Sequence, residues 1–208
     1  MRFSGRIRNG EELSRRAVLQ QLDEAPQHLA WLTQCHSAAV RSASIGACGN
    51  GDGLWTEQPG LALSLVTADC VPIICCGERA VATIHAGWRG LVAGVIGATL
   101  AELPTPASQL DVWLGPAIGP CCYEVGEDVA SLVADATKEP IGNIATIDDP
   151  GRPHIDLHRA AECQLRRLGV ERIHRIDVCT CCNADLLWSY RGCSGANGRN
   201  LTFAWLSS

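Results

Sequence analysis

The apolar positions divide the chain into short runs with two different periods. From Glu11 to Leu22, Leu13, Val18, Leu19 and Leu22 recur with charged residues between them, the spacing of an amphipathic helix opened by Asn9–Gly10 and ended by Pro26. Leu29–Thr33 is predicted as a strand leading into Gln34–Cys35–His36, and Ser42–Gly60, rich in Gly, Ser and Asn, as a loop. Leu61–Val66 and Val71–Cys76 follow as strands separated by Thr67–Ala68–Asp69–Cys70. Gly77–Glu78 then turns the chain into Ala80–His85, whose unbroken apolar run predicts burial on both faces. After His85–Ala86–Gly87–Trp88–Arg89–Gly90, a helix is expected over Leu91–Leu103, stopped by Pro104. His85 therefore stands where a strand hands over to a helix, the carboxyl strand end at which α/β architectures bind ligands.

Asp111–Leu114 is a further strand, broken at Gly115–Pro116 and again at Gly119–Pro120, and Glu127–Thr137 is a helix. The segment Asp135–Arg152 reads as irregular, with a short strand at Ile144–Ile147. In Asp156–Leu168 the residues Leu157, Ala160, Ala161, Gln164, Leu165 and Leu168 share one helical face, and Gly169 stops the helix. Ile173–Cys179 is a strand, Ser189–Asn200 a Gly-rich loop and Leu201–Leu206 a closing strand. No repeat, heptad or linker interrupts this series, so one α+β domain over residues 1–208 is expected.

Composition narrows the function. The 208 residues, 47% of them hydrophobic, suffice for a buried core. Only 19% are charged and the net charge is −5, so no broad basic surface exists to neutralise phosphate backbones, and no nucleic-acid partner is expected. Asp69 and Pro72 interrupt the longest apolar stretch, Leu61–Cys76, too soon for a membrane-spanning helix. The amino end has no apolar signal core, and the twelve cysteines fit a reducing cytoplasm.

Three residues of zinc-binding type, His36, Cys70 and His85, fall at strand ends or in Gly-flanked turns. Two imidazoles and one thiolate leave a tetrahedral zinc with an open fourth position, where a bound water ionises near neutral pH. Their separations match no short zinc motif, so a role as polar residues of packed loops stays open. So does a cysteine hydrolase, with Cys70 as nucleophile, His85 as base and Asp69 or Asp111 orienting the histidine. The CxxC pair Cys179–Cys182 offers half of a structural zinc site or a redox couple. Cys121–Cys122 would complete it only if adjacent residues shared one ion, so these thiols are read as packing. Six histidines, and Met1 as the only methionine, argue against a true multicopper oxidase, which needs an imidazole-rich cluster besides its mononuclear copper.

Arg89, Arg191 and Arg199 lie in Gly-containing loops, where guanidinium forks can hold phosphate or carboxylate. Trp188 and Tyr190 share one face of an extended segment, either stacking on a purine or filling a core edge, with Trp188 read as core. The chain has no GxGxxG, P-loop or GxSxG, which removes the usual dinucleotide, NTPase and serine-hydrolase readings.

The segments QCHSAAV (34–40), TADCVPI (67–73), HAGWRG (85–90), GPAIGPCCYEVGEDV (115–129), CTCC (179–182) and SYRGCSGANGRN (189–200) together resemble the laccase-domain family, also called polyphenol oxidase or multicopper-oxidase-like. The ordered set covers about residues 30–206. The resemblance implies an αββα layered sandwich with mixed sheets, and a metal site of His36, Cys70 and His85 holding zinc, with copper as the alternative ion. It further implies phosphorolysis of purine nucleosides (adenosine, inosine, methylthioadenosine), with adenosine deamination as a second activity. Phosphate would be held by arginines, Arg89 and Arg199 first, with Tyr190 and Arg191 also at the substrate. A monomer or homodimer acting on small molecules is expected. Some bacterial relatives are described as peptidoglycan editing factors, which makes a cell-wall precursor hydrolase the alternative; a non-catalytic metal or partner-binding module is the third reading. The chain departs from the family pattern at its start, where Phe3–Ser4–Gly5–Arg6 keeps a trace of the usual opening strand in a shortened segment. It departs again after Ser189–Tyr190, where Arg191–Gly192 stands for the usual double arginine and Cys193 and two extra small residues are inserted before Gly198–Arg199.

Overall fold

The structure, a computed structural model, describes residues 2–8, 12–147, 151–192 and 198–207. The chain opens with strand β1 (Arg2–Arg8) and helix α1 (Glu12–Leu19), followed by β2 (His28–Thr33), β3 (Val40–Ser42), β4 (Gly46–Asn50) and β5 (Gly53–Thr56). The regular middle supplies β6 (Leu61–Thr67), β7 (Val71–Cys76) and β8 (Val81–Ala86), then helices α2 (Trp88–Ala93) and α3 (Val95–Glu102). β9 (Asp111–Leu114), α4 (Glu127–Thr137), β10 (Ala145–Ile147), β11 (Pro153–Ile155), α5 (Leu157–Arg167), β12 (Arg172–Arg175) and β13 (Gly198–Ala204) complete it.

Two mixed sheets carry the fold. One has the order β1-β13-β6-β2-β4, the other β12-β9-β7-β8-β5-β3, and β10 pairs separately with β11. Leu61 and Leu63 of β6 pack with Ile74 of β7, Val81 of β8 and Leu54 of β5 in a core between the sheets. Alternate residues point the other way, as strand pleating requires. Ala62 joins Leu19, Leu29 and Phe203 under α1, while Ile73, Cys75, Ala82 and Ile84 face the layer of α2 to α5. The layers therefore run helix, sheet, sheet, helices, the αββα arrangement expected from the resemblance. β6, β7 and β8 lie between other layers on both sides, which explains their continuous apolar runs.

Several boundaries differ from the sequence reading, each for a physical reason. The segment Ser42–Gly60 is not a loop throughout: it carries β4 and β5, with β3 ending at Ser42. β3 and β4 are the outermost strands of their sheets, where Gly and polar residues replace the apolar alternation. At Gly53 any Cβ would collide with Thr99 on α3, so that glycine lets helix and strand approach closely. The helix expected over Leu91–Leu103 starts earlier and splits at Gly94, which has φ +84° and whose N–H caps α2 by bonding the Gly90 and Leu91 carbonyls. β12 ends at Arg175, and Cys179 lies beyond it, in an isolated backbone bridge with Ala117 rather than in a strand. The closing strand begins at Gly198 and ends at Ala204, and β11 was not anticipated. The Phe3–Arg6 trace lies in β1, which pairs antiparallel with β13. The proposed helix opening at Asn9–Gly10 and the insertion around Cys193 lie outside the described residues. Among the described residues, no helix is long and apolar enough to cross a membrane.

Candidate metal centre and cleft

His85 occupies the penultimate position of β8, with its side chain almost fully buried. Directly opposite on β7 is Pro72, so the β6–β7 turn carrying Asp69 and Cys70 comes to the same sheet end. His36 follows β2 in a tight turn and takes the left-handed conformation, φ +58°. Asp52, just before β5, holds these parts together. Its carboxylate accepts backbone N–H bonds from Cys35 (3.2 Å), His36 (3.0 Å) and Ser37 (2.6 Å), and a hydroxyl bond from Ser37 (2.8 Å). It also meets Nδ1 of His85 at 2.8 Å. Burial opposes ionisation of Asp52, but these bonds outweigh it and hold the carboxyl well below the usual carboxylate range.

The ligand atoms of His36, Cys70 and His85 all lie within 4.8 Å of one another. Cys70 Sγ is 3.8 Å from Nε2 of His36. Zn–S and Zn–N bonds in a tetrahedron set the N···S separation at about 3.6 Å, so the trio fits one zinc-sized ion. With Nδ1 of His85 bonded to Asp52, its Nε2 is the nitrogen left to face the sulfur, the carboxylate–histidine arrangement that fixes a ligand's tautomer. Burial disfavours the Cys70 thiolate, yet hydrogen bonds with His36 and His85 pull the thiol down to about 6. Burial likewise disfavours the His85 cation, and its bonds to Asp52 and Cys70 push it up to about 9. At neutral pH the pair is thus a Cys70 thiolate beside a protonated His85, and a metal taking both as ligands would displace the His85 proton. A Cβ at Gly87 would lie 2.7 Å from Cys70 Sγ and 3.2 Å from Cδ2 of His36, so glycine there preserves space at the cluster.

These three residues open onto a cleft of about 810 Å³ that is also lined by Arg89, Tyr190, Arg191 and Arg199. His36, Cys70, His85, Arg89, Tyr190, Arg191 and Arg199, all singled out from the sequence, therefore border one cavity. Trp188 does not; it packs beneath Gly198, where any Cβ would strike its ring, in keeping with its reading as core. The Arg191 guanidinium lies 5.4 Å from the Tyr123 ring centre and donates to the Glu124 carbonyl at 3.0 Å, while Arg89 lies 4.3 Å from the Trp88 ring. Sequence reasoning missed Tyr123, Gln34 and Arg15, which also line the cleft. Gln34 accepts from Val66 N–H and donates to Val66 O, clamping the His36 turn to β6.

The orienting carboxylate is also a correction. Asp111 lies opposite Cys76, at the far end of β7 from His85, and pairs with Arg172 at 3.0 Å. Asp69 instead accepts from Thr180 Oγ1 and from Arg191 N–H, both at 2.7 Å, tying the Cys70 turn to the far wall. Asp52 does the orienting. No sequence signal marked it, because it sits in the Gly-rich stretch read as a loop.

Comparisons with known proteins identify the family. A purine nucleoside phosphorylase of Pseudomonas aeruginosa is 38% identical over 198 residues, covering 94% of this chain and 80% of the relative. Purine nucleoside phosphorylase YfiH of Escherichia coli is 34% identical over 187 residues, covering 87% and 75%. Among solved structures, YlmD from Geobacillus stearothermophilus superimposes with a TM-score of 0.86 at 31% identity, covering 94% of this chain and 79% of that one. A Neisseria meningitidis protein gives 0.85 at 34% identity, covering 94% and 81%. Residues 11–207 match the family model described as multi-copper polyphenol oxidoreductase laccase, and the chain belongs to that family.

Proposed function

We propose that this protein is a zinc-dependent purine nucleoside phosphorylase. The observation that carries the reading is the shared cleft: two imidazoles and a thiolate converge at one place in it, and Arg89, Arg191 and Arg199 line it with them. The phosphorylase names of the relatives supply the reaction class.

Zinc held by His36, Cys70 and His85 would supply a Lewis acid with an open coordination position. The chain's own residues do the remaining work. Asp52 fixes the tautomer of His85 and the turn of His36. The arginine forks hold phosphate oxygens and orient the anion towards the anomeric carbon. As a phosphate oxygen bonds to that carbon, the glycosidic C–N bond breaks, its electron pair leaves with the purine, and positive charge develops on the sugar. Tyr190, 60% exposed at the rim, and Tyr123 offer aromatic faces to the base or sugar. Deamination of adenosine at C6 is the second activity we assign to the same cleft.

Purified protein supplied with adenosine and phosphate should release adenine and ribose 1-phosphate, with inosine and methylthioadenosine reacting likewise. No release of base from any of the three by zinc-loaded protein would overturn the reading. The chain of contacts Asp52–His85–Cys70 favours one other reading, a cysteine hydrolase acting on a cell-wall precursor. Serine released from a muropeptide precursor, with no base released from nucleosides, would select it.

A further inference from the structure

Four other thiols converge outside the cleft. The sulfurs of Cys121, Cys122, Cys179 and Cys182 all lie within 4.8 Å of one another, and none of the four residues lines the cleft. Cys182 Sγ is 3.5 Å from that of Cys121 and 3.4 Å from that of Cys122. Four sulfurs around one zinc stand about 3.8 Å apart, set by Zn–S bonds of about 2.3 Å, whereas a disulfide needs about 2.05 Å. The observed spacing is that of donors around an ion.

The backbone is shaped to match. Cys122 and Tyr123 both donate N–H to the Gly119 carbonyl, at 3.0 and 3.1 Å, and this tight turn brings the adjacent side chains of Cys121 and Cys122 to one place. Both neighbouring sulfurs thereby lie within 3.5 Å of Cys182 Sγ. On the other side, Cys179 Sγ accepts an N–H bond from Gly119 at 3.2 Å. Such bonds stabilise sulfur carrying negative charge. A Cβ at Gly119 would sit 3.2 Å from Cys121 Sγ and 3.4 Å from the Cys179 Cβ, so glycine keeps the cradle open.

We propose that Cys121, Cys122, Cys179 and Cys182 form a second, structural zinc site that staples the loop after β9 to the segment after β12. Binding releases the thiol protons to solvent and leaves no open position on the ion, so the site is structural. Its place gives it a consequence for the cleft. Tyr123 follows Cys122 directly, Thr180 follows Cys179, and Thr180 bonds Asp69 beside Cys70. The staple thus positions one wall of the cleft without touching substrate.

The test uses the full chain, expressed with zinc and purified under reducing conditions. Native mass spectrometry should find two zinc ions per chain, falling to one in Cys179→Ser/Cys182→Ser and to one in His36→Ala/His85→Ala. Zinc X-ray absorption of the wild type needs no variant. Two sites present five sulfurs and two imidazoles over two ions, a sulfur-rich average, whereas the cleft site alone presents one sulfur and two imidazoles. The absorption of His36→Ala/His85→Ala should show four sulfurs at about 2.3 Å. A wild-type stoichiometry of one with a nitrogen-rich shell overturns the proposal. So does a disulfide from Cys182 to Cys121 or Cys122 in the reduced protein, seen as a mass lower by two hydrogens.

Discussion

The two cysteine-containing clusters differ in how the fold holds them. His36, Cys70 and His85 stand at or just after the ends of strands buried between layers, and the carboxylate that orients the two histidines, Asp52, is 2% exposed. Cys121, Cys122, Cys179 and Cys182 come from turns near the surface, and Cys121 and Cys182 are exposed. The first set has three donors and faces the cleft; the second has four and does not line it. A site for chemistry needs an open position and a rigid frame, whereas a site that only joins two loops can be complete and shallow.

Five substitutions sharpen that contrast. The largest effect is expected from His85→Ala, which removes a ligand on a rigid strand: nucleoside turnover falls to background and one zinc is lost, measured by product chromatography and metal analysis. Undiminished turnover would separate the cleft trio from the reaction. Asp52→Asn comes next, since an amide presents N–H groups to backbone donors that now meet a carboxylate. A loss of about 10–100-fold in zinc affinity or activity is expected, with destabilisation of about 1–3 kcal/mol from unsatisfied buried groups, read by denaturant titration.

Gly87→Ala places a methyl against Cys70 Sγ and should weaken zinc at the cleft while leaving zinc at the four-cysteine site, a difference that competition with a chelator resolves. Arg89→Ala should raise the KM for phosphate by about tenfold or more, the scale of one charged hydrogen bond, with zinc content unchanged. The smallest effect on chemistry belongs to Cys182→Ser. The midpoint of thermal unfolding should fall and the KM for nucleoside rise, with kcat within about twofold, as expected where remote packing sets binding rather than the reacting geometry. A Cys182→Ser enzyme with kcat at background would merge the two clusters into one functional unit.

Much of the layered core is legible from local pattern. β6, β7 and β8 announce themselves by apolar runs, and α5 by its shared face; the structure adds the Asp156 cap, whose side chain accepts the Arg159 N–H at 2.8 Å. The edge strands β3 and β4 are not legible, because a strand bordered on one side only has less need of an apolar alternation. Of the cleft residues, His36, Cys70, His85, Arg89, Tyr190, Arg191 and Arg199 stood out by type and by position at strand ends or in Gly-rich turns. Asp52 and Tyr123 did not, since a carboxylate and a ring in irregular segments carry no periodic signal.

Taken alone, the amino-acid order determined which stretches are buried and which residue types could do chemistry, because burial repeats with the short periods of helix and strand. Only the tertiary structure decided which of them meet. Cys121 and Cys182 are 61 positions apart, and Asp52 and His85 are 33 apart. Their contacts follow from strand order and from turns that no local period encodes, so the oriented trio and the four-sulfur cradle exist only once both sheets are assembled.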